Sequence, residues 1–288
     1  MILSRATQYL RYTKPRVWSL LVFSALIGAL LASEFQASFL MFRIIIAVVS
    51  ATLGTAGAEA ITNYIDRDID SIMTRTRKRP LITGEIAPMH GLQFGVILAS
   101  LAMVLLIVSH LFYALLWLGM GLFDNVVIYS YLLKRRTPWS IILGGFSGGF
   151  PVLIGWYCVT DSFSMIPWML FALIVIWIPV HIWSLAFRYR EDYRAAGVPM
   201  LPVVTKESTT SQCVLASVVF LIFFSVIPFF LGIEGLYYFV VVIVLSSPLL
   251  FYAILFLKNL TNESSLVLFK YSNIYLSLTM VLFFVLRL

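Results

Sequence analysis

Nine long apolar runs follow one another along the chain, separated by short polar segments. Each run approaches the roughly 20 residues that an α-helix needs to cross the hydrocarbon core of a bilayer. The fourth run is interrupted by Asp124 and Asn125, so its ends are the least well marked. The pattern predicts an all-α, polytopic membrane protein with nine transmembrane helices at about residues 17–33, 39–62, 91–109, 112–131, 139–158, 165–187, 213–232, 236–257 and 267–286.

Composition supports this fold class and excludes two others. Of the 288 residues, 61% are hydrophobic and only 11% are charged, and the mean hydropathy is +0.98. A soluble domain carries about 25% charged residues, and a disordered chain has low hydrophobicity. The apolar runs leave no length for a sizeable soluble domain, so we expect residues 1–288 to form a single integral-membrane domain.

The basic residues are sorted to one side of the predicted spans. All of the 20 Lys and Arg residues except Arg43 and Arg287 lie in the N-terminal segment or in the loops after the second, fourth, sixth and eighth spans. The positive-inside rule places these segments, and the N-terminus, in the cytoplasm. The net charge of +7 is then expected to face a membrane surface rather than a nucleic acid. Without a cleavable signal or a transit peptide, the sequence favours a prokaryotic cell membrane.

The end of the second span carries a group of acidic residues. Asn63, Asp66 and Asp70 share one helical face with Glu59 a turn deeper, whereas Asp68 points to the opposite side. Carboxylates four residues apart repel each other unless a cation lies between them, and oxygen ligands of this kind suit Mg²⁺ that also binds substrate phosphates. Two alternatives remain open: a solvated helix end neutralised by nearby arginines, and a Glu59 that is protonated or paired within the bilayer.

A second cluster lies at the end of the sixth span, on the same predicted side. His181, Arg188 and Asp192 are spaced seven and four residues apart, so they share one helical face. Two acidic clusters at matching helix ends suggest a site, with one or more metal ions, shared between two helices. A histidine in this position is also compatible with a hydrogen-bonded polar residue inside the bundle.

Three further segments complete an ordered set of motifs. A basic trio at residues 134–136 is typical of an orientation signal, and the glycines between 144 and 155 let helices approach closely. In order, the chain carries T-K-P-R at 13–16, N-x-x-D-x-D-x-D with M-x-R-T-x-x-R-P-L at 63–81, Y-S-x-x-L-K-R-x-T at 129–137, a glycine-rich stretch ending in G-W at 144–156, and D-Y-x-x-A-G-x-P-M-L-P at 192–202. This order resembles the protoheme IX farnesyltransferases, or heme O synthases, of the UbiA-type intramembrane prenyltransferase superfamily.

The resemblance implies a UbiA-type bundle around a central cavity that opens to the cytoplasmic side. It implies transfer of a farnesyl group from farnesyl diphosphate to a vinyl group of heme b, with water adding a hydroxyl, to give heme O and diphosphate. The product is then available to a heme A synthase or to heme-copper oxidase assembly. The implied cofactor is Mg²⁺.

The resemblance also assigns roles to residues of this chain. It implies that Asp66, Asp70 and Asp192 are catalytic and hold the metal. Asn63 is expected to belong to the metal site as well and to orient these carboxylates. His181 is the expected heme contact. The expected diphosphate-binding residues are Lys14, Arg16, Arg75, Arg79, Lys134, Arg135 and Arg188.

The chain departs from the family pattern at two places. Val180 and Ile182 replace a proline and a phenylalanine around His181, and Ala196 stands where the superfamily often has a carboxylate four residues after Asp192. Two other functions remain alternatives on the residues alone. One is prenyl transfer to a quinone precursor or other aromatic acceptor, and the other is cation-coupled transport.

Overall fold

The structure, a computed structural model, describes residues 4–33 and 40–287. Within these ranges every regular element is a helix. The elements in chain order are α1 (Arg5–Tyr12), α2 (Pro15–Ala32), α3 (Leu40–Ile65), α4 (Arg67–Ile72), α5 (Pro88–Val108), α6 (Phe112–Leu122), a π-helical stretch (Phe123–Leu133), α7 (Ser140–Leu143), α8 (Phe146–Val159), α9 (Met165–Arg188), α10 (Arg190–Ala195), α11 (Leu201–Val204), α12 (Glu207–Phe230), α13 (Leu236–Asn259) and α14 (Asn262–Val285).

The described residues contain nine helical segments that are long and apolar enough to cross a membrane, which confirms the predicted fold class. The largest differences from the sequence expectation lie at two helix starts. The seventh span begins at Glu207 rather than near residue 213, and the ninth begins at Asn262 rather than near residue 267. Thr261 and Ser264 cap the start of α14 reciprocally. Polar first turns of this kind continue a helix beyond the apolar run that hydropathy detects.

The fourth span changes its helical geometry where the sequence is polar. α6 continues into the π-helical stretch at Phe123, one residue before the Asp124–Asn125 pair. The Asp124 carboxylate is buried and accepts a hydrogen bond of 2.7 Å from the backbone N–H of Ser147, in the first turn of α8. Asp124 therefore ties the fourth span to the start of α8, within the fifth span, by satisfying an N–H that has no partner within that helix.

Two close helix crossings bring the cavity walls together. A Cβ on Gly155 of α8 would overlap the carbonyl oxygen of Ala25 in α2, and a Cβ on Gly57 of α3 would lie 2.8 Å from the backbone nitrogen of Ala99 in α5. Small residues permit such approach where lipid offers no hydrophobic driving force between helices. α8 lies within the most buried of the nine spans, so α2 and α3 are arranged around it.

We expect Gly155→Ala to lower the thermal stability of the protein. The added methyl group forces α2 and α8 apart, and overpacking of this kind costs about 1–3 kcal/mol. Thermal unfolding in detergent measures the effect. Gly119→Ala is the matched control, because a Cβ at this helical position meets no atom within 4 Å. Equal melting temperatures for the two variants would contradict the packing argument.

Candidate active site

A cavity of about 790 Å³ opens among α2, α3, α8, α9, α14 and the π-helical stretch. Its wall has two chemically different parts. The part inside the bundle is apolar and aromatic, with Leu118, Phe150, Ile154 and Ile174 among its residues. The other part lies where spans end, and its described charged residues are Lys14, Arg16, Glu59, Asp66, Asp70, Arg75, Arg79 and Lys134. We call this charged part the cavity mouth.

Asp66 stands at the break between α3 and α4, where its backbone leaves the regular helix. Its side chain lines the cavity and is 3% exposed. One carboxylate oxygen, Oδ2, pairs with the ammonium of Lys134. The other, Oδ1, is buried and has no hydrogen-bond partner among the described residues. A buried carboxylate oxygen without a partner is costly unless a ligand satisfies it.

Asp70 lies one helical turn further along the same face and is 4% exposed. Its carboxylate pairs with the guanidinium of Arg79, and Arg79 also donates to Asn63 Oδ1 at 3.1 Å. The Asn63 amide nitrogen in turn donates to the backbone oxygen of Tyr12 at 2.6 Å. Both ends of the Asn63 side chain are therefore engaged, and the contact with Arg79 fixes that arginine beside Asp70.

Lys14 enters the cavity from the connection between α1 and α2. Its backbone adopts a left-handed conformation, with φ of 55°, which is uncommon for a residue other than glycine. The ammonium lies 2.7 Å from the Glu59 carboxylate, and both side chains are mostly buried. Burial lowers the pKa of the Lys14 ammonium, and the charge of Glu59 acts in the opposite direction. Lys14 and Glu59 thus form an ion pair inside the cavity.

Asp68, between the two cavity carboxylates in sequence, lies outside the cavity. The guanidinium of Arg135 binds it through both oxygens, at 2.6 and 2.7 Å, and also donates to the Ile65 backbone oxygen. The hydrogen bond from Arg135 holds the pKa of Asp68 below its ordinary value. This exposed pair fastens the end of the fourth span to α4. The sequence expectation that Asp68 points away from Asp66 and Asp70 agrees with this placement.

The second acidic cluster reaches the first one through the loop after α4. Asp192 Oδ2 accepts a hydrogen bond of 3.1 Å from the backbone N–H of Arg75. The Arg75 guanidinium lies 5.1 Å from the ring centre of Tyr189, and that of Arg188 lies 5.8 Å from the same ring. Within the described ranges no three His, Cys, Asp or Glu side chains gather closely enough to hold a metal by themselves.

His181 lies in the aromatic part of the cavity wall. Its ring stacks on Trp177 at 4.2 Å between centres and lies 4.3 Å from the ring centre of Phe269. Its Nδ1 is 3.3 Å from the hydroxyl of Ser272. Phe269 and Ser272 belong to α14, which carries none of the sequence motifs. The imidazole is therefore held between two aromatic rings with one edge directed at a hydroxyl.

The cavity gathers eight of the twelve site residues expected from sequence. These are Lys14, Arg16, Asp66, Asp70, Arg75, Arg79, Lys134 and His181. Four expected residues are not among its described lining residues: Asn63, Arg135, Arg188 and Asp192. Asn63, Arg135 and Asp192 contact other segments of the chain, and Arg188 lies beside the ring of the adjacent Tyr189.

Sequence reasoning missed several lining residues. Asn273 and Phe269 come from α14, and no local pattern marks them. In the sequence, Asn125 stands out only as a break in an apolar run. In the structure it lines the cavity, and its Oδ1 is buried without a partner among the described residues. A polar interruption of a span was thus the available signal for Asn125.

Comparison with known proteins identifies the family. Residues 21–276 match the UbiA prenyltransferase family. The chain belongs to the UbiA prenyltransferase family. It is 53% identical over 281 residues to a Thermoplasma volcanium protein named protoheme IX farnesyltransferase, covering 98% of each chain. A protein of the same name from Thermoplasma acidophilum is 49% identical, covering 99% of each chain. The family resemblance of the motifs is confirmed, and the chain is a multi-pass membrane prenyltransferase.

Solved structures of this family share the fold. A structure of digeranylgeranylglyceryl phosphate synthase gives a TM-score of 0.78 at 21% identity over 99% of both chains. A UbiA homologue from Archaeoglobus fulgidus bound to DMAPP and Mg²⁺ gives a TM-score of 0.71 at 14% identity, over 97% of this chain and 98% of that one. At these identities the likeness establishes the UbiA-type bundle and nothing about this chain's ligands.

We expect Asp66→Asn to reduce prenyl transfer by at least about 10²-fold, because it removes a charge that faces the cavity mouth. Asp68→Asn, two positions away, is the matched control, and its rate should stay near that of the wild type. The measurement is release of diphosphate from a prenyl diphosphate in the presence of acceptor. If both variants lost a similar part of the prenyl-transfer rate, the rate would depend on the total negative charge at this helix end rather than on the cavity carboxylate of Asp66.

Proposed function

We propose that this UbiA-family enzyme transfers a farnesyl group from farnesyl diphosphate to a vinyl group of heme b. Water adds a hydroxyl in the same reaction, and the products are heme O and diphosphate. The observation that carries the proposal is the two-part cavity. A charged mouth suits the diphosphate, and the adjoining aromatic chamber, which contains His181, suits a prenyl tail and a porphyrin. Its volume of about 790 Å³ is within the range of ligand sites.

The mouth residues fit a magnesium ion. The buried, unsatisfied Oδ1 of Asp66 and the carboxylate of Asp70 are hard oxygen donors in one cavity. We assign these two carboxylates as metal ligands, to be completed by diphosphate oxygens. Asp192, the third carboxylate expected from sequence, binds the backbone N–H of Arg75 outside the described lining and would have to approach the other two when the metal binds. Asn63 supports them by holding Arg79 in position. When bound, Mg²⁺ neutralises charge on the departing diphosphate.

The chain's own cations bind the diphosphate. Five cations line the mouth, and three of them pair with its carboxylates: Lys14, Arg79 and Lys134, with Arg16 and Arg75 beside them in the lining. Fixed charges that need no rearrangement at the moment of bond breaking are the most effective stabilisers of a leaving group. The two other expected diphosphate ligands lie outside the described lining, where Arg135 binds Asp68 and Arg188 lies beside Tyr189.

The apolar wall protects the allylic cation and receives the acceptor. Aromatic faces such as those of Trp177 and Phe269 attract positive charge and exclude water from it. His181, held between these two rings, is the heme contact. A neutral imidazole is a common ligand of iron. These residues therefore bind and orient the acceptor, while the mouth residues stabilise the negative charge of the leaving diphosphate.

Relatives and charge placement support the substrate and the orientation. The two Thermoplasma proteins, at 53% and 49% identity, carry the name protoheme IX farnesyltransferase. The basic residues, sorted to one side of the spans, favour a mouth that opens to the cytoplasm. The apolar runs along the whole chain favour a single integral-membrane domain. Heme O made there is available to a heme A synthase or to heme-copper oxidase assembly.

To test the proposal, purified protein in detergent is incubated with heme b, farnesyl diphosphate and Mg²⁺, and the mass of the heme product is measured by mass spectrometry. We expect a product heavier than heme b by one farnesyl group and one hydroxyl, together with one diphosphate per product. Omitting the metal should stop its formation. Absence of the adduct from a protein that binds heme would contradict the proposal. Adduct formation with a quinone precursor but not with heme would favour the aromatic-acceptor alternative.

We expect His181→Ala to weaken heme binding by at least about tenfold and to change the heme absorption spectrum, because it removes the imidazole from the aromatic chamber. Optical titration of the purified protein with heme b measures both effects. His90→Ala is the control, since His90 is exposed and lies outside the described cavity lining. An unchanged spectrum and affinity in His181→Ala would remove His181 from the heme site.

A further inference from the structure

Glu59 is a cavity carboxylate that the proposed metal site leaves unused. The described carboxylates that line the cavity are Glu59, Asp66 and Asp70, and the latter two are assigned to the metal. Glu59 lies seven residues before Asp66 on α3, which places it about 10 Å deeper along the helix axis. Of the three mouth carboxylates it is therefore the one deepest in the span.

The helix face around Glu59 confirms that it looks into the cavity. Gly54, Thr55, Ala58 and Thr62 of α3 line the same wall. The Glu59 side chain is 14% exposed, and its carboxylate binds Lys14 at 2.7 Å. Lys14 itself is one of the cations that the proposed diphosphate site recruits.

The proposed reaction must release one proton inside the cavity. The bond from C1 to oxygen of the prenyl diphosphate breaks, and its electron pair leaves with the diphosphate. C1 bonds to the terminal vinyl carbon, and the positive charge moves to the neighbouring carbon beside the porphyrin. A water oxygen bonds there, and one of its protons must then leave. Prenyl transfer to an aromatic acceptor releases one proton as well, in that case from the ring carbon.

We infer that Glu59 is the catalytic group that accepts this proton. The inference deepens the proposed function and rests on it. Once Lys14 turns from Glu59 to the phosphate oxygens, Glu59 is a buried carboxylate without its counter-ion, a state that gaining a proton relieves. Other described titratable groups in the wall are less suited. His181 is assigned to the heme, and Tyr129, Tyr189 and Tyr193 offer hydroxyl groups rather than carboxylates.

The test compares kcat and KM of Glu59→Gln and Glu59→Asp with those of the wild type, using the acceptor that the wild type prenylates. We expect Glu59→Gln to lower kcat on the order of 10²-fold while KM for farnesyl diphosphate changes less than about threefold. Glu59→Asp retains a base with a shorter reach and should recover part of the rate. Glu85→Gln is the control; Glu85 pairs with Arg11 outside the described cavity lining and should leave both constants unchanged.

Each outcome is decisive for Glu59. A kcat near the wild-type value, with or without a changed KM, would overturn the inference: Glu59 then only neutralises Lys14, and the departing diphosphate takes the proton. If Glu59→Gln does not fold, Glu59→Asp decides, since it keeps the charge beside Lys14 and should still lose rate. The mass of the wild-type product tests the proposed function separately, because the comparison between variants holds for any acceptor.

Discussion

Three buried ion pairs at the cavity mouth are the interaction on which the rest of the structure depends. Lys134 pairs with Asp66, Arg79 with Asp70, and Lys14 with Glu59. A charge at the end of a membrane span is tolerated where an opposite charge compensates for its loss of water. The Lys134–Asp66 and Lys14–Glu59 pairs join elements that are distant in sequence, and the Arg79–Asp70 pair fixes the loop after α4 against that helix.

The same pairs prepare the mouth for its substrate. Each consists of a cation suited to phosphate and a carboxylate suited to a cation, and a magnesium diphosphate carries both complementary charges. At the pairs of Asp66 and Asp70, substrate binding therefore exchanges one charged partner for another. At the third pair the metal does not replace Lys14, and Glu59 is the carboxylate left to take a proton. The close crossing of α2 and α8 at Gly155 and that of α3 and α5 at Gly57 keep the helices near enough for these contacts.

Sequence reasoning succeeded where the signal is local. Hydropathy located the nine spans, and helical periodicity separated Asp66 and Asp70 from Asp68. It did not find the Lys14–Glu59 pair, which joins residues 45 positions apart, or Phe269 and Asn273, which enter the cavity from a helix without motifs. Such contacts arise from helix packing, which periodicity within one segment does not encode.

The central claim is that Asp66 and Asp70 release Lys134 and Arg79 to bind a metal–diphosphate complex. The most direct measurement is a structure of the protein with Mg²⁺ and an unreactive thio-analogue of farnesyl diphosphate. We expect metal density against Asp66 and Asp70, with the Lys134 and Arg79 side chains turned to phosphate oxygens. A diphosphate bound elsewhere, or a mouth whose ion pairs remain closed with the analogue bound, would contradict it.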